Sequence, residues 1–440
     1  MESALNATTL IEPRWIAPVS GASAVLEDHA VVIADGGISA VLPRDQALTT
    51  FPDTERLHLP DHILIPGLIN AHTHAAMTLL RGIADDLPLM RWLEEHIWPA
   101  ETRHVSPEFV HDGTSLAIAE SLRGGVTCLN DMYFFPEAAA RAALETGIRM
   151  AVGMIVIEFP TRYATDPQDY LAKGLTLRDQ LRNEPRLSFC LAPHAPYTVS
   201  DPTFERIVML AEQLDVPIHM HLHETAGEIQ QSVAHHAVRP LTRIERLGLL
   251  GPRFLAVHAV HMLEDEVRTL ARHGCSVVHC PSSNLKLASG IAPITEYLDG
   301  GVNVALGTDG AASNNRMDMF EEMRLAALLA KAASGRADVL PAQRALRMAT
   351  LDGARALGLD GVTGSIEPGK RADLVAVNLS SLDLSPCYDP LSHLVYAAGR
   401  HDVSHVWVDG VLLVNDGQCT RIDTARLKTS AQRWQGVLSS

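Results

Sequence analysis

The stretch that decides the fold runs from Ile63 to His74, ILIPGLINAHTH. Eight of its first nine positions are aliphatic, Pro or Gly, and it ends in Asn70, Ala71 and an HxH pair. A short apolar run of this kind reads as a buried strand. Side chains two apart on a strand point the same way, so His72 and His74 can reach a common ion. Two imidazoles at the end of a buried strand are costly without a partner.

Outward from this run, the pattern repeats. GVTCLND (125–131), RMAVGMIVI (149–157), LSFCLAPH (187–194), PIHMHLH (217–223), FLAVHAV (254–260), CSVVHCP (275–281) and VNVALGTD (302–309) are further strand-like runs. Between them lie helical stretches such as SPEFVHDGTSLAIAESLRGG (106–125) and DPTFERIVMLAEQLD (201–215). Strands alternating with helices imply βαβ units and a parallel sheet, and about eight such units fit a closed barrel. His72, His74, Asp131, His194, His221, His258, His279 and Asp309 all fall at or just past the C-terminal end of a run. That is the end at which barrel enzymes build their sites.

The two ends of the chain are different in style. LIEPRWIAPV (10–19), AVLEDHAVVIADGGISAVLP (24–43) and ERLHLPDHILIPG (55–67) at one end, and ADLVAVNL (372–379) and HVWVDGVLLVNDG (405–417) at the other, mix β-branched residues with Gly and Pro. Asp-Gly pairs supply the positive φ that tight hairpins need. The expected architecture is α/β: a distorted (β/α)8 TIM barrel over 65–365, with a small β-sandwich domain formed by the N- and C-terminal segments, 1–64 and 366–440.

Composition narrows the partners. The 440 residues carry a formal net charge of −16 and no long Lys/Arg block, which argues against nucleic acid or an anionic membrane surface. No apolar run reaches the roughly 18 to 20 residues that span a bilayer. MESALNATTLIEPRWI does not read as a signal peptide. The six cysteines form no CxxC pair, so free thiols in a reducing cytoplasm are expected.

For a third nitrogen ligand, His219, His221 and His223 share one strand face, and parity alone does not choose. His221 stands nearest the strand end and is followed by an acid, Glu224. Asp309 supplies the oxygen. Three imidazoles and a carboxylate leave a position open and suit zinc, with iron or manganese as alternatives.

The motifs PGLINAHTHAAMTLLRG, HMHLHET, VHAVHML, HCPSSNLKLASG and LGTDGAASNN together resemble the amidohydrolase superfamily. Within it they resemble the branch of methylthioadenosine/S-adenosylhomocysteine deaminases, s-triazine chlorohydrolases and guanine deaminase. The resemblance covers essentially the whole chain. It implies one zinc per subunit, held by His72, His74, His221 and Asp309. Binuclear relatives carry a lysine on the fourth strand; here LAPHAPYT offers His194 and no lysine, so no second metal is expected. The zinc deaminases with a PCxxC signature are set aside because the chain has none.

The resemblance also assigns roles. Glu224 moves a proton between the attacking water and a ring nitrogen. Asp309 is both ligand and base. His258 contacts the water, with His261 as the competing choice. His194 and Glu101 contact substrate, Glu101 through the ribose hydroxyls. Apart from the resemblance, Trp92 and Trp98, in the loop LMRWLEEHIWPAE, offer rings for stacking on a base, with plain packing as the commoner use of a loop tryptophan. His279 reads as structural, and Asp131 has no role. The implied reaction is deamination of 5′-methylthioadenosine, with adenosine and S-adenosylhomocysteine as further substrates. S-adenosylhomocysteine ends in a carboxylate that wants an arginine. The loop EFPTRYATDPQDY offers Arg162 alone, which favours the methylthio substrate. A hydrolase of guanine, a pterin or a triazine is the alternative, and an inactive binding protein on the same fold the second. A homodimer or higher homo-oligomer is the implied assembly.

Overall fold

A computed structural model describes residues 9–21 and 25–439. The first eight residues of the segment read against a signal peptide, and Ala24 at the head of the second flanking run, lie outside them. Eight parallel strands form one sheet: β1 Leu68–Thr73, β2 Val126–Met132, β3 Arg149–Val156, β4 Leu187–Pro193, β5 Ile218–Leu222, β6 Phe254–His258, β7 Ser276–His279 and β8 Asn303–Leu306. Their order in the sheet is their order in the chain. All the expected strand runs of the barrel are present.

β1 and β8 close the barrel without a regular ladder. Side chains stitch the seam instead. Asn70 Nδ2 donates to Thr308 Oγ1 at 2.7 Å, and Thr308 N donates to Asn70 Oδ1 at 2.9 Å. Asp309 N donates to His72 O at 3.1 Å. Gly307 permits this approach, because a Cβ there would stand 2.9 Å from His72 N.

The second sheet is mixed and takes strands from both chain ends. Thr9–Ile16 runs parallel to Glu55–Pro66, and Leu374–Asn378 runs antiparallel to that same strand. Hairpins turn at Asp35-Gly36 and Asp409-Gly410, as the Asp-Gly pairs predict. The nine strands are hydrogen-bonded as one sheet, and they enclose a cluster that includes Ile11, Val31, Ile38, Leu64, Leu374 and Trp407.

The run ILIPGLINAH therefore serves two sheets, breaking at Gly67. A Cβ on Gly67 would lie 2.0 Å from Thr127 Oγ1, so no larger residue fits the crossing. Beside it, Arg149 Nε and Nη2 donate to the two carboxylate oxygens of Asp373 at 2.7 and 3.1 Å. Both side chains are buried, and this bidentate pair joins β3 to the mixed sheet. The main apolar core lies between barrel strands (Val126, Met150, Leu191) and the helices around them (Phe109, Phe204, Met323).

The stretch LMRWLEEHIWPAE is helical, not a loop. Helices at Leu89–Trp92 and Trp98–His104 flank a wider π turn at Leu93–Ile97. Leu89, Leu93 and Ile97 recur at helical spacing, which buries one face. Pro99 has no N–H to return to the carbonyl of Glu95, and the turn before it is wound wider. This helical cap lies over the barrel mouth.

Candidate functional site

Three imidazoles and one carboxylate converge where β1, β5 and β8 end. His221 Nε2 lies 3.2 Å from His72 Nε2 and 3.3 Å from His74 Nε2. Asp309 Oδ1 lies 3.2 Å from each of His72 Nε2 and His74 Nε2. Among the described residues these four form one group whose ligand atoms all lie within 4.8 Å of one another. In a tetrahedral zinc site with bonds of roughly 2.0–2.1 Å, neighbouring donors stand about 3.3 Å apart. The spacing fits a divalent ion.

The far side of each ring makes the same argument. His74 Nδ1 donates to Met132 O at 2.6 Å, and His221 Nδ1 to His194 O at 2.6 Å. His72 Nδ1 faces His219 Nε2 at 2.9 Å. Protons on Nδ1 leave the Nε2 lone pairs for a shared cation, the usual outer support of metal-binding histidines. Asp309 Oδ2 accepts from Ser283 Oγ at 2.6 Å and Ser313 Oγ at 2.7 Å, which fixes the carboxylate.

The remaining predicted residues gather around this group. A cavity of about 370 Å³ is lined by His74, His221 and Asp309, and also by Glu224, His258, His194, Glu101, Trp92 and Arg162. His72 is fully buried behind them. His258 and Asp309 both hold a positive φ, 68° and 63°. Such backbones cost roughly 1–3 kcal/mol each and cluster at functional sites. Here the curl aims each side chain into the cavity.

His258 Nδ1 is anchored on Asn284 Oδ1 at 2.9 Å, and its Nε2 lies 3.9 Å from Glu224 Oε2. Glu224 is buried, and burial raises its pKa above the ordinary carboxylate range, against the opposing field of His258. Two consecutive backbone amides, His223 N and Glu224 N, donate to the Glu228 carboxylate at 2.9 and 2.8 Å. That clamp holds the turn carrying Glu224. Burial pushes His194 down to about 3, so its ring is neutral; its Nδ1 is held by Thr198 Oγ1 at 3.0 Å.

Glu101 reaches the cavity from the cap helix Trp98–His104, where Tyr133 Oη donates to its Oε1 at 2.6 Å. Burial raises Glu101 to about 7, while the Tyr133 bond and the field of His74 oppose the rise. Trp92 is a wall residue whose indole N–H donates to Ile83 O at 3.3 Å. Arg162 lines the cavity, yet its Nη1 donates to Arg103 O at 2.7 Å.

The competing histidines have other occupations. His261 Nε2 donates to Ser289 O at 2.8 Å and does not line the cavity. His223 accepts from Leu241 N at 3.0 Å. His279 is buried beside the site. Asp131, without a role in the sequence, accepts from Ala75 N at 2.6 Å and Thr73 Oγ1 at 3.0 Å, pinning the turn that follows the HxH pair. Sequence reasoning missed Tyr133, Ser283 and Ser313. Tyr133 had one available signal, its place as the first residue past β2.

Comparison with known proteins agrees with this geometry. Residues 63–413 match the model of the amidohydrolase family. The chain is 47% identical, over 99% of its length and 98% of the relative, to a 5-methylthioadenosine/S-adenosylhomocysteine deaminase of Saccharophagus degradans. It superposes with TM-score 0.97 on the crystal structure of an adenosine deaminase from Xanthomonas campestris with bound zinc, at 51% identity and 99% coverage of both chains. The atrazine chlorohydrolase of Arthrobacter aurescens, complexed with zinc, matches at TM-score 0.91 and 26% identity, covering 97% of this chain and 99% of that one.

Proposed function

From the premise that this chain belongs to the amidohydrolase family, we propose that it removes the exocyclic amine of a purine nucleoside by hydrolysis. The principal substrate is 5′-methylthioadenosine, converted to 5′-methylthioinosine and ammonia; adenosine and S-adenosylhomocysteine are further substrates. One observation carries this reading. His74, His221 and Asp309 of the four clustered donors, with His72 buried directly behind them, share a single cavity large enough for a nucleoside with Glu224, the proposed proton carrier, and Glu101, the proposed diol acceptor.

One zinc ion per subunit, when bound to His72, His74, His221 and Asp309, supplies the Lewis acidity that makes water nucleophilic at neutral pH; iron or manganese suits the same donors. The protein does the rest. Glu224 accepts a proton from the attacking water and delivers it to a ring nitrogen, for which a raised pKa is apt. Asp309 carries the second water proton to the leaving amine. His258, fixed by Asn284, turns its Nε2 toward Glu224 and the water. His194 offers its remaining ring nitrogen to the substrate, and Glu101 accepts from the ribose hydroxyls.

The cavity walls favour an uncharged 5′ group. Leu89, Phe134, Phe135, Phe159 and Tyr163 line it, and a thioether packs well on aromatic edges. The one arginine in the wall among the described residues, Arg162, is engaged on Arg103 O. The backbone match to the triazine enzyme favours hydrolysis of another amidine or halide as the second reading. The charge of −16 supports a small-molecule partner over nucleic acid or membrane. No helix among the described residues is long and apolar enough to cross a membrane.

Ammonia release by the zinc-loaded protein tests the reading, with methylthioadenosine, S-adenosylhomocysteine, adenosine and guanine side by side. Methylthioadenosine is expected to react fastest. Turnover of guanine alone would discard the ribose-binding role of Glu101.

A further inference from the structure

We propose that Tyr133 is a positioning residue that sets sugar specificity, by holding the Glu101 carboxylate in the orientation that accepts a ribose cis-diol. The proposal rests on Glu101 as the diol acceptor.

Three observations converge on it. Tyr133 Oη lies 2.6 Å from Glu101 Oε1, and both residues line the cavity. Tyr133 is 4% exposed and is the first residue beyond β2, so its ring is held by the barrel wall. Glu101 belongs to the cap, a separate helical segment, and its carboxylate has no other hydrogen-bond donor among the described residues.

A glutamate side chain has a broad terminal torsion, and a carboxylate at the end of it is poorly aimed on its own. One phenol hydroxyl on Oε1 removes that freedom. It uses one lone-pair site and leaves the others, on both oxygens, for the cavity. Two acceptor oxygens held side by side match two neighbouring hydroxyls. Burial keeps the Tyr133 phenol protonated, so it acts only as a donor toward Glu101. A substrate without the diol gains nothing from this orientation.

The test compares 5′-methylthioadenosine with its 2′,3′-dideoxy analogue on the zinc-loaded full chain, using wild type, Tyr133→Phe and Glu101→Gln. Tyr133→Phe keeps the ring and removes the donor. It is expected to raise KM for the ribonucleoside roughly tenfold, with kcat changed by less than about twofold, the size expected for a hydrogen bond to a charged group. It should leave the dideoxy analogue unaffected. Equal changes in both substrates, or none in either, overturn the role of Tyr133. Glu101→Gln separates the two levels. Loss of ribose preference in Glu101→Gln but not in Tyr133→Phe sinks the Tyr133 proposal alone. Unchanged ribose preference in Glu101→Gln, or no preference in wild type, removes the diol reading and this proposal with it.

Discussion

His219 Nε2 stands 2.9 Å from His72 Nδ1, so a buried imidazole backs the imidazole of a proposed metal ligand. Burial holds the His219 pKa well below its usual value, and the ring is neutral. With the His72 proton on Nδ1, His219 accepts on Nε2 and carries its own proton on Nδ1. That Nδ1 has no partner among the described residues. A buried donor left unmatched is costly, which marks the pair as serving the ligand.

His219→Ala is therefore expected to weaken zinc retention by about 10–100-fold, the usual penalty for losing an outer support. His219→Gln, which restores an acceptor, should recover part of it. Competition with a chelator measures both; equal retention in wild type and His219→Ala would show that His72 needs no such backing.

Glu224→Gln keeps shape and removes the proposed proton carrier. Its kcat should fall by roughly 10²–10⁴, the range of general acid–base catalysis. Zinc content should stay that of wild type, because Glu224 is not among the four clustered ligands. Metal analysis beside the ammonia assay separates the two effects.

Glu101 gives the pH dependence its sign. Its pKa is raised to about 7, chiefly by burial. Below that value the carboxyl is protonated and can accept less from the diol; above it the carboxylate accepts both hydroxyls. kcat/KM for the nucleoside should therefore rise as pH rises through about 7. A Glu101→Gln profile that kept this limb would assign it to another group.

For substrate preference, kcat/KM should be higher for methylthioadenosine than for S-adenosylhomocysteine, since the Arg162 guanidinium is already bound to Arg103 O at 2.7 Å. Arg162→Ala should impair both substrates through the cap. Loss confined to S-adenosylhomocysteine would make Arg162 a carboxylate clamp after all.

Gly67→Ala places a methyl 2.0 Å from Thr127 Oγ1, where the chain crosses from one sheet to the other. The overpacking should cost about 1–3 kcal/mol. Thermal unfolding would register this as a lowered Tm with zinc stoichiometry unchanged.

Much of this site is legible in the sequence because strands obey a period of two. Parity alone pairs His72 with His74. Parity also puts His219, His221 and His223 on one face, and there it stops being informative. Depth separates the three: His219 lies under the site, His221 at the strand end, and His223 past it with φ 54°, where alternation no longer holds. The cap reads as a loop in the sequence because Pro99 and the π turn interrupt its helical period. Tyr133 was invisible for another reason. Its partner is 32 residues away on a different element, and no local pattern encodes such a meeting.

The seam between β1 and β8 ties the metal site to the order in which the chain is made. Asn70 and Thr308 bond across 238 residues, and His72 meets Asp309 at the same junction. Three of the four proposed ligands, His72, His74 and His221, precede Asp309 by 88 residues or more in the chain. A nascent chain can thus hold only three of the four proposed donors, and the full set is complete only when the final barrel strand docks. Closing so long a loop is among the slower steps of folding. Zinc retention then serves as an inspection stamp: a chain whose last strand has failed to close the ring lacks the Asp309 oxygen and should hold the ion less tightly.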